Sequence, residues 1–165
     1  MKNYFTKLLT LLAFTGFCQQ KEVRVKRVID GDTFVAEWQG KSYHCRIANI
    51  DAPELKQFYG AEAYRYLNDL IIGKKLELDS LRKDMYGRII ISAKLNNKRL
   101  DSLIVREGWA WFYVNYSTDA KIKNCMDLAV AESKGLWMCG ANKVCPPWLF
   151  RKYNYRNRMK YCKGC

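Results

Sequence analysis

The sequence contains few acidic residues compared with its basic ones. The 165 residues contain 16 Asp and Glu against 29 Lys and Arg, which gives a formal net charge of +13 at pH 7. Self-repulsion of that size is usually tolerated because a polyanionic partner offsets it, and nucleic acid and anionic membrane surfaces are the natural candidates. The hydrophobic content of 49% is nevertheless high enough for a real core. We therefore exclude a disordered chain and expect one compact domain.

Long apolar runs are also missing after the first 18 residues, so no transmembrane helix is expected in the rest of the chain. Within those 18 residues, Lys2 and Lys7 precede the apolar run at 8–17, which is the layout of a secretory signal. We predict a signal peptide over residues 1–18 and a secreted, periplasmic or cell-surface protein. Lipidation of Cys18 is the second choice, because the phenylalanine before it is larger than the residue that normally precedes a lipoprotein cysteine.

Cysteine usage agrees with export, since six cysteines remain once Cys18 is set aside. An even number in an oxidising compartment suggests disulfides. Four of the six cluster in the C-terminal quarter: Cys139, Cys145, Cys162 and Cys165. A structural zinc site of four thiolates is the alternative for this cluster, although the spacing matches no zinc motif closely. Cys45 lies in an alternating strand pattern and is expected to be a small core residue.

The sequence has no internal repeats and no alternation of strands with helices, which argues against a parallel sheet. Alternating residues and tight turns predict a three-stranded meander over 22–50. Two further strands, at 75–81 and 88–95, and three helices are predicted, the helices at 61–71, at 100–107 and from Ser117 or Thr118 to about Gly135. We therefore predict an α+β fold, a five-stranded OB-fold Greek-key barrel with about three α-helices.

The C-terminal end has a different composition from the rest. Between Phe150 and Cys165 there are six basic residues, four aromatic residues and no acidic ones. We take 19–152 as the folded domain and 153–165 as a basic, cysteine-containing tail, either an ordered strap pinned by cysteines or a mobile polybasic end. A further interpretation makes this tail a membrane or cell-wall anchor.

The few acidic residues are concentrated around the first strands. Asp30, Asp32, Asp51 and Glu54 follow or end the predicted strands of the meander. Carboxylates that face each other in a basic protein suggest a hard cation such as calcium, which prefers oxygen ligands. Each segment also has a purely structural explanation, because Asp-Gly and Asp-x-Pro sequences are common in turns.

Two arginines add a second kind of chemistry to this cluster. Arg46 stands five residues before Asp51, and Arg88 follows a Tyr-Gly turn. A metal ion beside two guanidinium groups is suited to phosphoryl transfer, because charge that develops on phosphate oxygens needs fixed positive partners. For either arginine alone, a surface salt bridge is the simpler interpretation.

Three segments carry a resemblance to a known family. VIDGDT at 28–33, RIANIDAPE at 46–54 and YGR at 86–88 resemble the signature segments of the staphylococcal nuclease (thermonuclease) family in order and spacing. Further matches lie at 59–63, 105–110, 135–137, 146–148 and 150–152. The resemblance covers about residues 22–152, and the three segments together are far more specific than any one of them.

The resemblance implies a role for each charged residue of these segments. Calcium would be bound by the carboxylates of Asp32 and Asp51 and by the backbone carbonyl of Ala52. Glu54 would orient or deprotonate the attacking water. The scissile phosphate would be held, and its developing charge stabilised, by two arginines, Arg46 and Arg88.

The resemblance also implies a substrate-binding surface of aromatic residues. Tyr86 would lie beside a substrate phosphate, and Tyr113 or Tyr116 would line the base-binding side, where aromatic rings stack on unpaired bases. Two departures from the founding member bear on this surface and on the metal site. Ala52 replaces a threonine, which leaves the backbone ligand intact, whereas Met85 replaces a lysine and weakens one phosphate subsite.

The function implied is that of a calcium-dependent nuclease that hydrolyses phosphodiester bonds in DNA and RNA, with single strands favoured and 3′-phosphate products. Sugar tolerance follows if recognition rests on phosphates and stacked bases rather than on the 2′-hydroxyl. A monomer without an obligate protein partner is expected. The alternative is a non-catalytic OB-fold module that binds single strands, although such relatives usually lack several of the charged positions present here.

Overall fold

The computed structural model describes residues 21–162, apart from the side chains of residues 79–81. The predicted signal peptide, Cys18 and Cys165 lie outside the described residues. The strands are β1 (Lys21–Val28), β2 (Thr33–Trp38), β3 (Lys41–Ile47), β4 (Ile50–Asp51), β5 (Lys75–Lys83), β6 (Ile89–Leu95), β7 (Lys98–Arg99) and β8 (Trp111–Phe112). The helices are α1 (Gly60–Ile71), α2 (Leu100–Arg106), α3 (Ala120–Ala131), α4 (Pro147–Lys152) and α5 (Tyr155–Tyr161), with 3₁₀ turns at Gly135–Cys139 and Ala141–Lys143.

Five strands form a closed barrel, as the sequence predicts. The strand order is β3-β2-β1-β5-β6, and every neighbouring pair in it is antiparallel. A parallel pairing of β3 with β6 closes the barrel and places Arg46 opposite Ile90. The prediction of an α+β, OB-type barrel is confirmed. The closure brings Arg46 and the β5–β6 turn to the same end of the barrel.

The first strand illustrates how the sequence produces the barrel. Val23, Val25 and Val28 are buried, while the residues between them are exposed. A register shift between Val25 and Arg27 adds one residue to β1 opposite β2. This β-bulge keeps Val25 and Val28 on the same face of the sheet although they are three residues apart. It also increases the curvature of the strand, as a small barrel requires.

Helix α1 closes one end of the barrel. Ala63, Leu67 and Ile71 are fully or almost fully buried, and their spacing of four residues puts them on one helical face. The helix begins at Gly60, where a Cβ atom would overlap the backbone carbonyl of Glu54. The loop that carries Glu54 is therefore packed directly against the start of α1.

The third helix differs in its bounds from the prediction. It begins at Ala120, because the Asp119 side chain accepts a hydrogen bond of 2.9 Å from the Lys121 N–H and caps the helix. Ser117 instead accepts a hydrogen bond from the Asp119 N–H. Gly135 does not close α3, which ends at Ala131, but begins a 3₁₀ turn.

Two more helices follow the three that the sequence predicts. Helix α4 and helix α5 occupy most of 147–161, so the described part of the basic tail is ordered. Cys145 and Cys162 are joined by a disulfide that ties the two ends of this helical pair together. The ordered strap is thus the alternative that the structure supports for residues 153–162. Among residues 21–162, no helix has the length and apolar character needed to cross a membrane.

Candidate active site

Two buried carboxylates and one arginine form the centre of the candidate site. Asp32 lies in the loop between β1 and β2, and Asp51 is the last residue of β4. Their residues are 5% and 1% exposed. Nη2 of Arg46 lies 3.2 Å from Asp32 Oδ2 and 2.8 Å from Asp51 Oδ1. One nitrogen therefore bridges the two carboxylates that the family resemblance assigns to a metal ion.

The backbone holds these two acidic segments against each other. Asp32 Oδ2 accepts a hydrogen bond of 2.9 Å from the Ala52 N–H, and Asp32 Oδ1 accepts one of 2.8 Å from the Thr33 hydroxyl. A Cβ atom on Gly31 would approach the Cβ of Ala52 to 2.7 Å and that of Ala63 to 2.9 Å. The Asp-Gly-Asp loop can therefore pack this close to Ala52 only with glycine at its centre.

Arg46 is fixed by four acceptors at once. Besides the two carboxylates, its Nη1 donates hydrogen bonds of 3.2 Å to the Ile47 carbonyl and 3.0 Å to the Ile50 carbonyl. Burial works against the charge of Arg46, but the negative charges of Asp32 and Asp51 outweigh it and raise the pKa of the guanidinium. Three of its five N–H donors are hydrogen-bonded to the protein, the contact with Asp32 is an ion pair, and the Nε–H has no hydrogen-bond partner among the described residues.

Negative charge nevertheless exceeds positive charge around the loop. Burial and the nearby charge of Asp32 raise the pKa of Asp30 to about 7. Burial also raises the pKa of Asp51, although Arg151 and Arg46 act in the opposite direction. A hard divalent cation would offset this buried charge, and carboxylate oxygens are the ligand type that calcium prefers. The residues present therefore fit a calcium ion in their chemistry.

The described residues contain no ready-made cluster of three or more His, Cys, Asp or Glu side chains that could hold a metal ion. The ligand set implied by the family resemblance does not need one, because it combines two carboxylates with the backbone carbonyl of Ala52. Water molecules commonly complete such calcium sites.

Glu54 stands at the mouth of the site, where its side chain is 39% exposed. The Glu54 N–H donates a hydrogen bond of 3.2 Å to Gln57 Oε1, which fixes the loop before α1. The carboxylate accepts a hydrogen bond of 2.8 Å from Arg151 Nη1. It is therefore both anchored and open to solvent, as a residue that handles a water molecule must be.

Arg151 is a member of the site to which the sequence analysis gave no role. Its Nη2 lies 2.7 Å from Asp51 Oδ2, and its Nη1 lies 3.2 Å from Asp51 Oδ1. The same Nη1 bonds Glu54, so one guanidinium connects both carboxylates. The only sequence signal for this position was the match of residues 150–152 to the family, without a residue role.

Arg88 is placed on the β5–β6 turn, and its described contacts are not with the acidic cluster. Its Nε donates a hydrogen bond of 2.8 Å to Asp84 Oδ2, and its guanidinium lies 5.6 Å from the centre of the Tyr86 ring. Asp84 Oδ1 also accepts the backbone N–H groups of Tyr86 and Arg88, which shapes the turn. Tyr86 is 78% exposed. The structure thus places Arg88 beside Tyr86, and the described contacts of Arg88 do not include Arg46 or its carboxylate partners.

A second aromatic group packs on helix α4, which carries Arg151. The rings of Tyr113 and Trp148 are stacked at 5.9 Å with an interplanar angle of 9°, and Tyr116 lies 4.7 Å from Tyr113. Burial, followed by the negative charge of Asp51, raises the pKa of Tyr113. Tyr113 therefore borders the site, and the exposed Tyr116 extends the aromatic surface away from it.

The three described cysteines of the C-terminal cluster form disulfides and are not thiolates. Cys145 and Cys162 are bonded to each other, and Cys139 is also disulfide-bonded. This leaves no thiolate on these three residues for a zinc ion. Cys45 is a free, buried thiol whose pKa burial raises to about 11, as expected for a small core residue.

Comparison with known proteins identifies one family and several similar proteins named as nucleases. The profile of the family described as "Staphylococcal nuclease homologue" matches residues 44–139. The chain is 34% identical over 152 residues to an "Uncharacterized endonuclease" of Escherichia coli, covering 92% of this chain and 98% of that protein. It is 32% identical over 139 residues to an "Uncharacterized endonuclease" of Haemophilus influenzae, covering 82% and 78% of the two chains. A "Micrococcal nuclease" of Shigella flexneri is 30% identical over 139 residues, covering 78% and 79%.

Proposed function

The chain belongs to the staphylococcal nuclease family, and from this premise we propose that it is a calcium-dependent nuclease that hydrolyses phosphodiester bonds in DNA and RNA. The names of its relatives support nuclease activity in the broad sense. The observation that carries the finer proposal is the bridge from Arg46 to Asp32 and Asp51. It combines oxygen ligands for a hard cation with a guanidinium that can meet a phosphate.

We assign the metal to the carboxylates of Asp32 and Asp51 and to the carbonyl of Ala52. Bound calcium would supply positive charge to the phosphate oxygens as bond breaking proceeds. Asp32 also fixes the backbone of Ala52 through its N–H, so the three ligands are held as one unit. Nucleic acid is the substrate, and the net charge of +13 favours its approach.

Glu54 orients and deprotonates the attacking water in this proposal. Its carboxylate is exposed to solvent and its backbone is tied to Gln57, so a water molecule can reach a base of fixed position. Arg46 offers its Nε–H, which has no hydrogen-bond partner among residues 21–162, to a phosphate oxygen. Arg88 offers Nη1 and Nη2, neither of which is hydrogen-bonded to a described residue.

Substrate bases are assigned to the aromatic surface of Tyr113 and Tyr116, and a neighbouring phosphate to Tyr86. Stacking on aromatic rings requires unpaired bases, which supports a preference for single strands. It does not use the 2′-hydroxyl, which supports activity on both DNA and RNA. We propose a monomer that releases products with 3′-phosphates.

Export is part of the same proposal. The layout of residues 1–18 and the disulfide between Cys145 and Cys162 both support an oxidising compartment outside the cytoplasm. Mass spectrometry of the non-reduced protein isolated from its host identifies the mature N-terminus. A protein that retains residues 1–18 and is found in the cytosol would contradict export.

The nuclease proposal is tested with 5′-labelled denatured DNA and RNA incubated with the purified protein in millimolar calcium. We expect shortened products whose gel mobility changes after phosphatase treatment removes a 3′-phosphate. Retarded but intact nucleic acid would instead support the non-catalytic binding module. Cleavage to products that phosphatase does not alter would contradict the 3′-phosphate assignment alone.

A further inference from the structure

Arg151 donates hydrogen bonds to two carboxylates of the candidate site, the buried Asp51 and the partly exposed Glu54. We propose that Arg151 is a further substrate-binding residue of the nuclease: it rests on Asp51 and Glu54, and transfers to a phosphate of the substrate when a metal ion takes Asp51. This inference rests on the function proposed above. It adds a third arginine to the two that the family resemblance supplies.

Arg151 binds the Asp51 carboxylate in a bidentate manner, through both terminal nitrogens of its guanidinium. Both terminal nitrogens bond the carboxylate of Asp51, at 2.7 Å and 3.2 Å. The bond to Glu54 is 2.8 Å. A guanidinium binds a phosphate through the same two parallel hydrogen bonds. The carboxylate of Asp51 therefore occupies the position that a phosphate can take on Arg151.

Helix α4 is held in place independently of these bonds. Pro147 is buried, and Trp148 stacks on Tyr113 one turn before Arg151. The amide of Gln57 donates a hydrogen bond to the carbonyl of Cys145, which precedes the helix. The helix therefore keeps the arginine at the mouth of the site when the side chain itself changes partner.

The end of the chain gives α4 a second anchor. The disulfide between Cys145 and Cys162 joins the segment before α4 to the end of α5. Arg158 of α5 donates a hydrogen bond of 2.7 Å to the Phe150 carbonyl, and its guanidinium lies 4.4 Å from the Phe150 ring centre. The backbone that carries Arg151 is thus fixed from both sides.

A metal ion and Arg151 require the same carboxylate. Asp51 accepts hydrogen bonds from Arg151 on both of its oxygens and from Arg46 on one. A divalent cation bound to Asp51 would repel the guanidinium and compete for these oxygens. The side chain of Arg151 is 41% exposed, so it can leave Asp51 without crossing the core. When Asp51 is taken by the metal, Arg151 keeps Glu54 as one partner, and the phosphate of the substrate is the anion that can replace Asp51.

The competition predicts an effect that a purely structural salt bridge would not produce. If Arg151 only stabilised the position of Asp51, its removal would weaken calcium binding. If it competes with the metal, its removal strengthens calcium binding while it weakens the binding of substrate. The two roles therefore move the calcium affinity in opposite directions.

The test compares the purified protein with Arg151→Gln and with Lys152→Gln, an exposed neighbour that removes the same charge from the same helix. Calcium affinity is measured by titration calorimetry. The KM for a single-stranded oligodeoxynucleotide is measured in saturating calcium. For Arg151→Gln we expect calcium affinity to rise about tenfold and the KM to rise about tenfold, since charge-assisted bonds are lost in both equilibria. Lys152→Gln should change each value by no more than about twofold.

Circular dichroism of Arg151→Gln without calcium checks that the fold is kept. Equal or weaker calcium binding by Arg151→Gln, with normal cleavage by the wild type, would overturn the role of Arg151 and leave the nuclease assignment intact. An unchanged KM would overturn the phosphate contact. A wild-type protein that binds no calcium would overturn both this inference and the calcium-dependent function.

Discussion

The guanidinium of Arg151 and the carboxylate of Asp51 form a two-bond ion pair between residues 100 positions apart, with distances of 2.7 Å and 3.2 Å. This pair joins helix α4 to the end of β4. The candidate site is therefore assembled from the β-barrel, the loop before α1 and the C-terminal helices. Without the C-terminal helices the site would keep Asp32, Arg46 and Asp51 but would lack the third arginine.

Replacement of Glu54 by glutamine tests the assignment of the general base. The amide keeps the size of the side chain but cannot accept a proton, so we expect the turnover of single-stranded DNA to fall by roughly 10² or more. Glu62→Gln is the matched control, because Glu62 lies in the first turn of α1 and pairs with Arg65. Initial rates in saturating calcium provide the comparison. If Glu54→Gln retains the wild-type rate, Glu54 has no part in the chemistry.

Replacement of Arg46 by lysine tests whether one side chain must bridge both carboxylates. Lysine keeps the charge but has a single nitrogen, which cannot bond two carboxylates and two carbonyls in the geometry of the guanidinium fork. We expect kcat to fall by roughly 10² or more, as for the loss of a group that stabilises transition-state charge. Arg65→Lys, on the exposed face of α1, should leave kcat unchanged. Full activity of Arg46→Lys would show that charge alone is sufficient.

Much of the barrel is predictable from the sequence because its determinants are local. Val23, Val25 and Val28 alternate with charged residues, and turn residues mark where the strands end. The bounds of α3 were less accurate, because Asp119, rather than Ser117 or Thr118, provides the capping oxygen. Several side chains in this segment can cap a helix, and only the tertiary structure selects one.

The candidate site is predictable in part, for a related reason. Asp32, Arg46 and Asp51 lie in short signature segments, so their assembly could be anticipated from the family resemblance. The docking of Arg151 depends on helix α4, which is stabilised by Trp148 and by a disulfide that closes only in the folded chain. Such long-range contacts leave little trace in the local pattern.

Replacement of Gly60 by alanine tests how the loop of Glu54 is positioned. A Cβ atom at this site would overlap the Glu54 carbonyl, so the loop must move. We expect a loss of about 1–3 kcal/mol in the free energy of unfolding and a clear fall in kcat. Ala61→Gly is the control, because it weakens the same helix by about 1 kcal/mol without displacing the loop. Equal kcat values for wild type and Gly60→Ala would contradict this positioning role.

Removal of the disulfide tests the contribution of the C-terminal strap. Cys145 and Cys162 are 17 residues apart, and a loop of that length is expected to stabilise the folded state by about 3 kcal/mol through the entropy of the unfolded chain. We expect the free energy of unfolding of the double serine variant, measured with urea, to be lower by most of this amount. Cys125→Ser, at a half-buried free cysteine, should lose far less. Equal stability of the wild type and the double variant would show that the strap contributes nothing to folding.

The calcium dependence of cleavage is the most direct measurement of the proposed function. The purified protein is assayed on denatured DNA in millimolar calcium, then with excess chelator, and again after calcium is restored. We expect cleavage to stop in chelator and to resume with calcium, because the buried carboxylates of Asp32 and Asp51 hold the ion that the chemistry requires. Cleavage that continues at the full rate in chelator would contradict the calcium-dependent mechanism.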